Sequence, residues 1–214
     1  MDPSLRITEI FYSLQGETYT VGVPTVFIRL TGCPLRCGYC DTAYAFSGGE
    51  KISLADILTR VADYGCRYVT VTGGEPLAQP HCLELLDRLI ALGYQVSLET
   101  SGAMDVSAVN PCVVKVMDLK TPSSGELARN LYSNIQFLSQ QDQVKFVIAD
   151  EADYRWSVEQ VRELMLTERC QVLFSPVELS MPAAELADKI LADRLPVRFQ
   201  IQLHKYLWND ARGK

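Results

Sequence analysis

Residues 25–40 read Thr25-Val26-Phe27-Ile28-Arg29-Leu30-Thr31-Gly32-Cys33-Pro34-Leu35-Arg36-Cys37-Gly38-Tyr39-Cys40. An apolar run of this length, rich in Val, Ile, Leu and Phe, suits a strand buried on both faces, as in parallel sheets. Gly32 and Pro34 end it. Three cysteines therefore collect just beyond a strand's C-terminal end.

The same order recurs along the chain. Further strands are predicted at 67–71, 95–99, 113–119, 143–148, 171–174 and 197–203. Thr72-Gly73-Gly74-Glu75-Pro76 follows the second strand and Thr100-Ser101-Gly102 the third. The fourth closes on Asp118-Leu119-Lys120, and the last runs into His204-Lys205. Polar, Gly-rich and ligand-type residues thus gather where parallel α/β folds build their sites.

Helical stretches alternate with the strands. Residues 53–64 place Leu54, Ile57, Leu58 and Val61 on one face, with Ser53 as cap and Gly65 as stop. Residues 80–92 and 182–192 each begin with Pro, and a stripe of Tyr154, Val158, Val161 and Met165 marks another helix. Residues 126–138 form a weaker one. Strand–helix repeats imply right-handed crossovers between parallel strands. The expected fold is α/β: a shortened, open (partial) TIM-type barrel with a parallel sheet and outer helices. A flat doubly wound sheet is the alternative. No linker or low-complexity stretch interrupts the chain, so a single domain over 1–214 is expected.

A net charge of −6 argues against a broad nucleic-acid footprint. No apolar run approaches the roughly 18 residues of a membrane helix. The first residues lack the features of a secretion signal, and a cytoplasmic location is the expectation. Seven cysteines, an odd number, argue against a disulfide framework. Cys66, Cys82, Cys112 and Cys170 read as core or surface residues. Three of them precede strands, at the end of the sheet away from the cluster.

Cys33, Cys37 and Cys40 put three soft thiolates in one loop. A structural zinc site prefers four closed ligands. Three suit a 4Fe–4S cluster with one iron left open. A zinc site completed by His81 or His204, or three coincidental core cysteines, are the other readings.

The Cys-x3-Cys-x2-Cys spacing, with Tyr39 before the last cysteine, and Gly73-Gly74-Glu75-Pro76 after the second strand resemble the radical S-adenosylmethionine superfamily. A closer resemblance, over nearly the whole chain, is to the 7-carboxy-7-deazaguanine synthases of the queuosine pathway. It is carried by Phe11-Tyr12-Ser13-Leu14-Gln15-Gly16-Glu17, Cys40-Asp41-Thr42, Glu99-Thr100-Ser101-Gly102 and His204-Lys205-Tyr206-Leu207.

That resemblance implies a lyase that cleaves S-adenosylmethionine to a 5′-deoxyadenosyl radical. The radical abstracts hydrogen from C6 of 6-carboxy-5,6,7,8-tetrahydropterin. Ring contraction and loss of ammonia then give 7-carboxy-7-deazaguanine. The implied cofactor set is Tyr39, Asp41, Gly73, Gly74, Glu75, Glu99, Ser101, Asp118 and Lys120, with Glu99 at the ribose and Lys120 at the carboxylate. Gly73 and Gly74 would let the backbone approach the cofactor closely. The implied substrate set is Leu14, Gln15, Gly16, Glu17, Arg29, Thr72 and His204, with Arg29 at the substrate carboxylate. Thr42 would bind Mg²⁺ through its hydroxyl. A flavodoxin-type reductant and a homodimer complete the implication.

Two features depart from the family pattern. Thr18 stands where a second Gly is frequent after Gly16-Glu17. The chain also continues from Trp208 to Lys214, which argues against a substrate role for its terminal carboxylate. A different radical enzyme acting on a protein, such as a glycyl-radical activase, and a redox-silent zinc or nucleotide-binding module are the competing functional classes.

Overall fold

The sheet has nine strands in the order β3-β1-β2-β4-β5-β6-β7-β8-β9. The computed structural model describes residues 2–178, 180–209 and 211–214. The strands are β1 (Ser4–Leu14), β2 (Pro24–Leu30), β3 (Glu50–Ser53), β4 (Tyr68–Gly73), β5 (Gln95–Thr100), β6 (Val114–Asp118), β7 (Gln143–Ile148), β8 (Gln171–Pro176) and β9 (Arg198–Phe199). From β2 through β4 to β9 every pairing is parallel. Strand β1 pairs antiparallel with both β2 and β3. The sheet stays open between β3 and β9, as an unfinished barrel.

The helices are α1 (Leu54–Asp63), α2 (Cys82–Ala91), α3 (Glu151–Glu163), α4 (Leu166–Arg169), α5 (Ala183–Ala192) and α6 (Leu203–Trp208). Helix α1 starts where Ser53 Oγ accepts from Asp56 N and stops at Gly65, which takes a φ of +59°. Its buried face is Leu54, Ile57 and Val61. Each such side chain contributes about 2 kcal/mol on leaving water. They join a core under β1, β2, β4 and β5, while β6–β8 pack with α3 and α5 in a second cluster around Phe146 and Phe174.

Three expectations need correction. The longest strand, β1, was not among the predicted ones. It pairs on both sides but buries only alternate positions such as Leu5 and Ile7, so it lacks a continuous apolar run. Residues 197–203 hold only a two-residue strand, and the chain then turns into α6. Residues 126–138 form short 3₁₀ turns rather than an α-helix. Asn130 there exchanges hydrogen bonds with the Lys120 backbone (2.8 and 2.9 Å), and Asn134 donates to Met104 O (2.8 Å). These amides tie down the segments that leave β5 and β6.

A buried ion pair braces the sheet at its other end. Asp142 accepts from Lys115 N (2.7 Å) and Ser139 N (2.8 Å), and its Oδ2 lies 3.2 Å from Lys115 Nζ. Both side chains are all but enclosed. Asp142→Ala would strand the Lys115 charge, and breaking such a pair costs about 3–5 kcal/mol. Urea unfolding should show that loss as a lower midpoint.

Candidate active site

One cavity of about 810 Å³ opens at the C-terminal ends of the parallel strands. Cys33, Cys37 and Cys40 line one side of it. All three are free thiols and half-buried. Short bonds shape their loop: Gly32 N to Ala45 O (2.8 Å), Cys40 N to Cys37 O (3.2 Å), Gly38 N to Ser124 O (3.0 Å). Leu35 N donates to Cys33 Sγ (3.4 Å), as backbone amides do toward sulfur that carries charge.

The thiols fit an iron–sulfur cluster better than a zinc ion. Among the described residues, no three His, Cys, Asp or Glu side chains converge where a single metal ion could sit. A zinc ion draws its sulfurs to about 2.3 Å from one point. A cubane spreads its ligands over separate corners, which suits three thiols ringing a cavity wall. His81, one of the candidate zinc partners, lies on the surface beside Glu84.

Gly73 and Gly74 also line the cavity, and they are glycine for a reason different from the predicted one. A Cβ on Gly74 would lie 2.3 Å from Gly32 O and 2.6 Å from Cys33 Cβ. One on Gly73 would meet Leu30 O at 2.4 Å. The close approach is therefore between this corner and the cysteine loop itself. Gly74 N donates to Leu30 O and Glu75 N to Gly32 O (3.3 and 2.9 Å).

Glu75 requires correction: its side chain does not reach the cavity. It is fully enclosed and accepts from Leu77 N (3.0 Å), Ser101 N (2.7 Å) and the hydroxyls of Thr100 and Ser101. It stands behind the wall and holds Ser101 in it.

Across the floor runs a chain of buried charges. Glu17 pairs with Lys145, whose Nζ lies 4.0 Å from Asp118 Oδ2, and Asp118 Oδ2 lies 3.0 Å from Lys120 Nζ. Asp118 Oδ1 is buried with no hydrogen-bond partner among the described residues. Burial opposes the Lys145 charge, but Glu17, Asp118 and Glu99 outweigh it and raise its pKa. Burial likewise opposes charge on Glu17, yet Lys145 holds its pKa below the usual carboxylate range. Glu99 is pushed upward, by burial first and then by Glu17. Glu99 accepts from Thr72 Oγ1 (2.8 Å) and from Gln15 Nε2 (3.4 Å). It was expected at the cofactor's ribose; its bonding partners instead belong to the expected substrate set. Tyr39 Oη lies 3.1 Å from Thr121 Oγ1, and burial raises its hydroxyl to about 12.

The chain's two ends meet at the cavity mouth. Gly16 O accepts from Leu203 N (2.9 Å), and a Cβ on Gly16 would lie 2.3 Å from His204 Nδ1. Gln202 Nε2 donates to both Glu17 Oε1 (2.9 Å) and Asp41 Oδ2 (3.1 Å). Burial opposes charge on Asp41, but Lys205, 3.3 Å away, holds its carboxyl well below the usual range. Thr42 Oγ1 donates to Asp41 Oδ1 (2.8 Å). Thr18 keeps a glycine-like φ of +73°. The Gln200 amide clamps it, accepting from Thr18 N (2.8 Å) and donating to Thr18 O (2.7 Å). The tail also departs from expectation, since Asn209 and Ala211 to Lys214 line the cavity and the Arg212 guanidinium lies 4.3 Å from the centre of the Tyr44 ring. Beside the same ring, Arg29 is engaged by Glu9 (2.7 Å), which also accepts from Tyr44 Oη (2.8 Å).

Residues 27–117 match the model of the radical SAM superfamily. A 7-carboxy-7-deazaguanine synthase of Chlorobaculum tepidum is 43% identical over 98% of this chain and 97% of its own. The chain belongs to the 7-carboxy-7-deazaguanine synthase family. A relative of the same name from Koribacter versatilis is 40% identical, over 98% of this chain and all of its own. Among solved structures, QueE from Escherichia coli superposes with a TM-score of 0.78 at 25% identity, covering 94% of this chain and 95% of its own. SuiB of Streptococcus suis, at 15% identity and a TM-score of 0.58, shares the fold over 80% of this chain and 45% of its own.

Every residue singled out from the sequence for this site, apart from Glu75, lines the one cavity. Sequence reasoning missed Lys145, Gln202 and the tail. Lys145 had a signal, a charged residue inside an otherwise buried strand, which is rare unless paired. Gln202 was hidden by reading 197–203 as strand. Gly16→Ala should push His204 and α6 off the mouth, at a cost of about 1–3 kcal/mol for the overpacking. Limited proteolysis should then cut near Lys205 faster than in the unaltered protein.

Proposed function

We propose that the chain converts 6-carboxy-5,6,7,8-tetrahydropterin to 7-carboxy-7-deazaguanine with loss of ammonia, as a radical S-adenosylmethionine lyase of queuosine biosynthesis. The observation that carries this is the shape of one cavity. Three thiols line it together with a set of acid and amide acceptors. When bound, the cluster supplies the electron that cleaves S-adenosylmethionine; the rest is positioning.

On the cofactor side, Lys120 and Asp118 suit an amino acid group. The ammonium of Lys120, held by Asp118, meets a carboxylate. Gly73, Gly74, Ser101, Tyr39 and Asp41 complete that wall, with Glu75 as support. On the substrate side, Glu17, Glu99 and Gln15 accept from the amine and amide edge of a pterin. Arg29 serves the substrate carboxylate, Thr72 and His204 flank the ring, and Leu14 and Gly16 close the mouth. Thr42 offers its hydroxyl to Mg²⁺, an ion that keeps most of its waters and takes few protein ligands. A single domain over 1–214, a homodimer, a flavodoxin-type reductant and a cytoplasmic location belong to the same reading. No helix among the described residues is long and apolar enough to cross a membrane.

The test is anaerobic. The protein is reconstituted with iron and sulfide, then given S-adenosylmethionine, reductant, Mg²⁺ and 6-carboxytetrahydropterin. The expected result is 7-carboxy-7-deazaguanine together with free ammonia. Cleavage of S-adenosylmethionine to 5′-deoxyadenosine without that product would retain the cofactor chemistry and discard the substrate.

A further inference from the structure

Lys145 is a cation with no place in the recognition scheme drawn from the sequence. It projects from β7 into the cavity wall, and its side chain is 14% exposed. Carboxylates approach its ammonium from two elements. Glu17 comes from the loop after β1 and makes the direct ion pair, and Asp118 comes from the end of β6 at 4.0 Å. A third acid, Glu99 at the end of β5, adds to the field on the same ammonium. Glu17 also raises the cost of charge on Glu99. Both contact the Gln15 side chain: Glu17 N donates to Gln15 Oε1 (3.1 Å), and Gln15 Nε2 donates to Glu99 Oε1 (3.4 Å).

The remaining charges around this group are accounted for. Arg29, from β2, acts on Glu99 but is already bonded to Glu9. Lys120, past β6, is bonded to Asp118. Asp41, in the cysteine loop, is held by Lys205 of α6 and by Gln202. Lys145 is thus the ammonium in direct contact with the Glu17 carboxylate. Two buried carboxylates in one field disfavour each other's charge, and a cation beside them offsets this.

We propose that Lys145 is the positioning residue of the substrate pocket: its ammonium fixes Glu17 and lets Glu17 and Glu99 act together as two hydrogen-bond acceptors. The ligand chemistry this selects is a flat edge bearing several N–H donors, such as the amine and amide edge of a pterin. The inference rests on the proposed function and deepens it. The side chain holds no substrate itself; it keeps the two acceptors charged and in place.

The sign of the pH effect follows. Glu99 already has a raised pKa, and Lys145 lowers it. Without the ammonium, Glu99 holds its proton to higher pH than it does beside Lys145. A protonated carboxyl offers a donor where the substrate needs an acceptor. Binding then weakens at neutral pH and recovers as the pair ionises at higher pH.

The experiment is equilibrium binding of 6-carboxytetrahydropterin to cluster-loaded, unreduced protein with S-adenosylmethionine present, from pH 6 to 9. The unaltered protein, with His204 in the same pocket, supplies the reference profile over that range. For Lys145→Met the affinity is weaker by about tenfold or more at pH 7, as the loss of one charge-assisted hydrogen bond would give, and approaches the unaltered value toward pH 9. Lys145→Arg keeps the charge and should restore the reference profile. Affinity for S-adenosylmethionine alone should be unchanged in both. A folded Lys145→Met protein that binds the pterin with unaltered strength, or with a loss independent of pH, would overturn the proposal. Should Lys145→Met fail to fold, Lys145→Gln, neutral but still a donor to Glu17, makes the same comparison. If the unaltered protein does not bind the pterin at any pH, it is the substrate assignment that fails, and the two failures are distinct.

Discussion

The approach of two backbones at the ends of β2 and β4 constrains everything built above them. Gly74 packs against Gly32 and Cys33 with no room for a side chain, and Gly73 does the same against Leu30. Immediately beyond, the Glu75 carboxylate takes its hydrogen bonds from the Leu77 backbone and from Thr100 and Ser101. The cysteine loop, the Gly-Gly corner and the end of β5 are thereby one rigid piece. A buried carboxylate is tolerated only when its oxygens are satisfied, and here backbone and hydroxyl donors do so. Its role is architectural: it ties the Gly-Gly corner to the end of β5 beside the three thiols.

The floor follows a different logic. Glu17, Lys145, Asp118 and Lys120 alternate in sign from the loop after β1 to the end of β6. Each charge offsets the desolvation of its neighbours, which lets a strongly polar surface sit inside a barrel-like core. The chain's two ends close over this surface. Gln202 bridges the N-terminal loop and the cysteine loop, and Gln200 holds Thr18 in a backbone conformation that costs an L-residue roughly 1–2 kcal/mol. A glutamine clamp therefore does for Thr18 what a glycine does without help.

What was legible in the sequence was what is local. The parallel strands, the α1 cap and the ligand-rich strand ends all depend on neighbours in the chain, and the spacing of Cys33, Cys37 and Cys40 is local too. What was not legible depends on long-range pairing or on side-chain direction. Glu75 sits in a motif that marks the cavity, yet its side chain turns inward; nothing in Gly-Gly-Glu-Pro sets that direction. Strand β1 buries alternate residues and therefore lacks the continuous apolar signature of its parallel neighbours. Lys145 and Glu17 are 128 residues apart, so their pairing is invisible until the strands are arranged. The tail's return to the cavity depends on α6, which the sequence presented as the end of a strand.

The most direct measurement is the electronic spectrum of the reconstituted, reduced protein before and after S-adenosylmethionine is added. Three thiols around a cavity wall, with a rigid glycine corner beside them, would hold a 4Fe–4S cluster and leave it open to S-adenosylmethionine. The expected result is a 4Fe–4S cluster whose signal shifts on addition of S-adenosylmethionine, and the loss of that cluster in Cys37→Ala. A cluster indifferent to the cofactor, or a redox-silent zinc bound in its place, would contradict it.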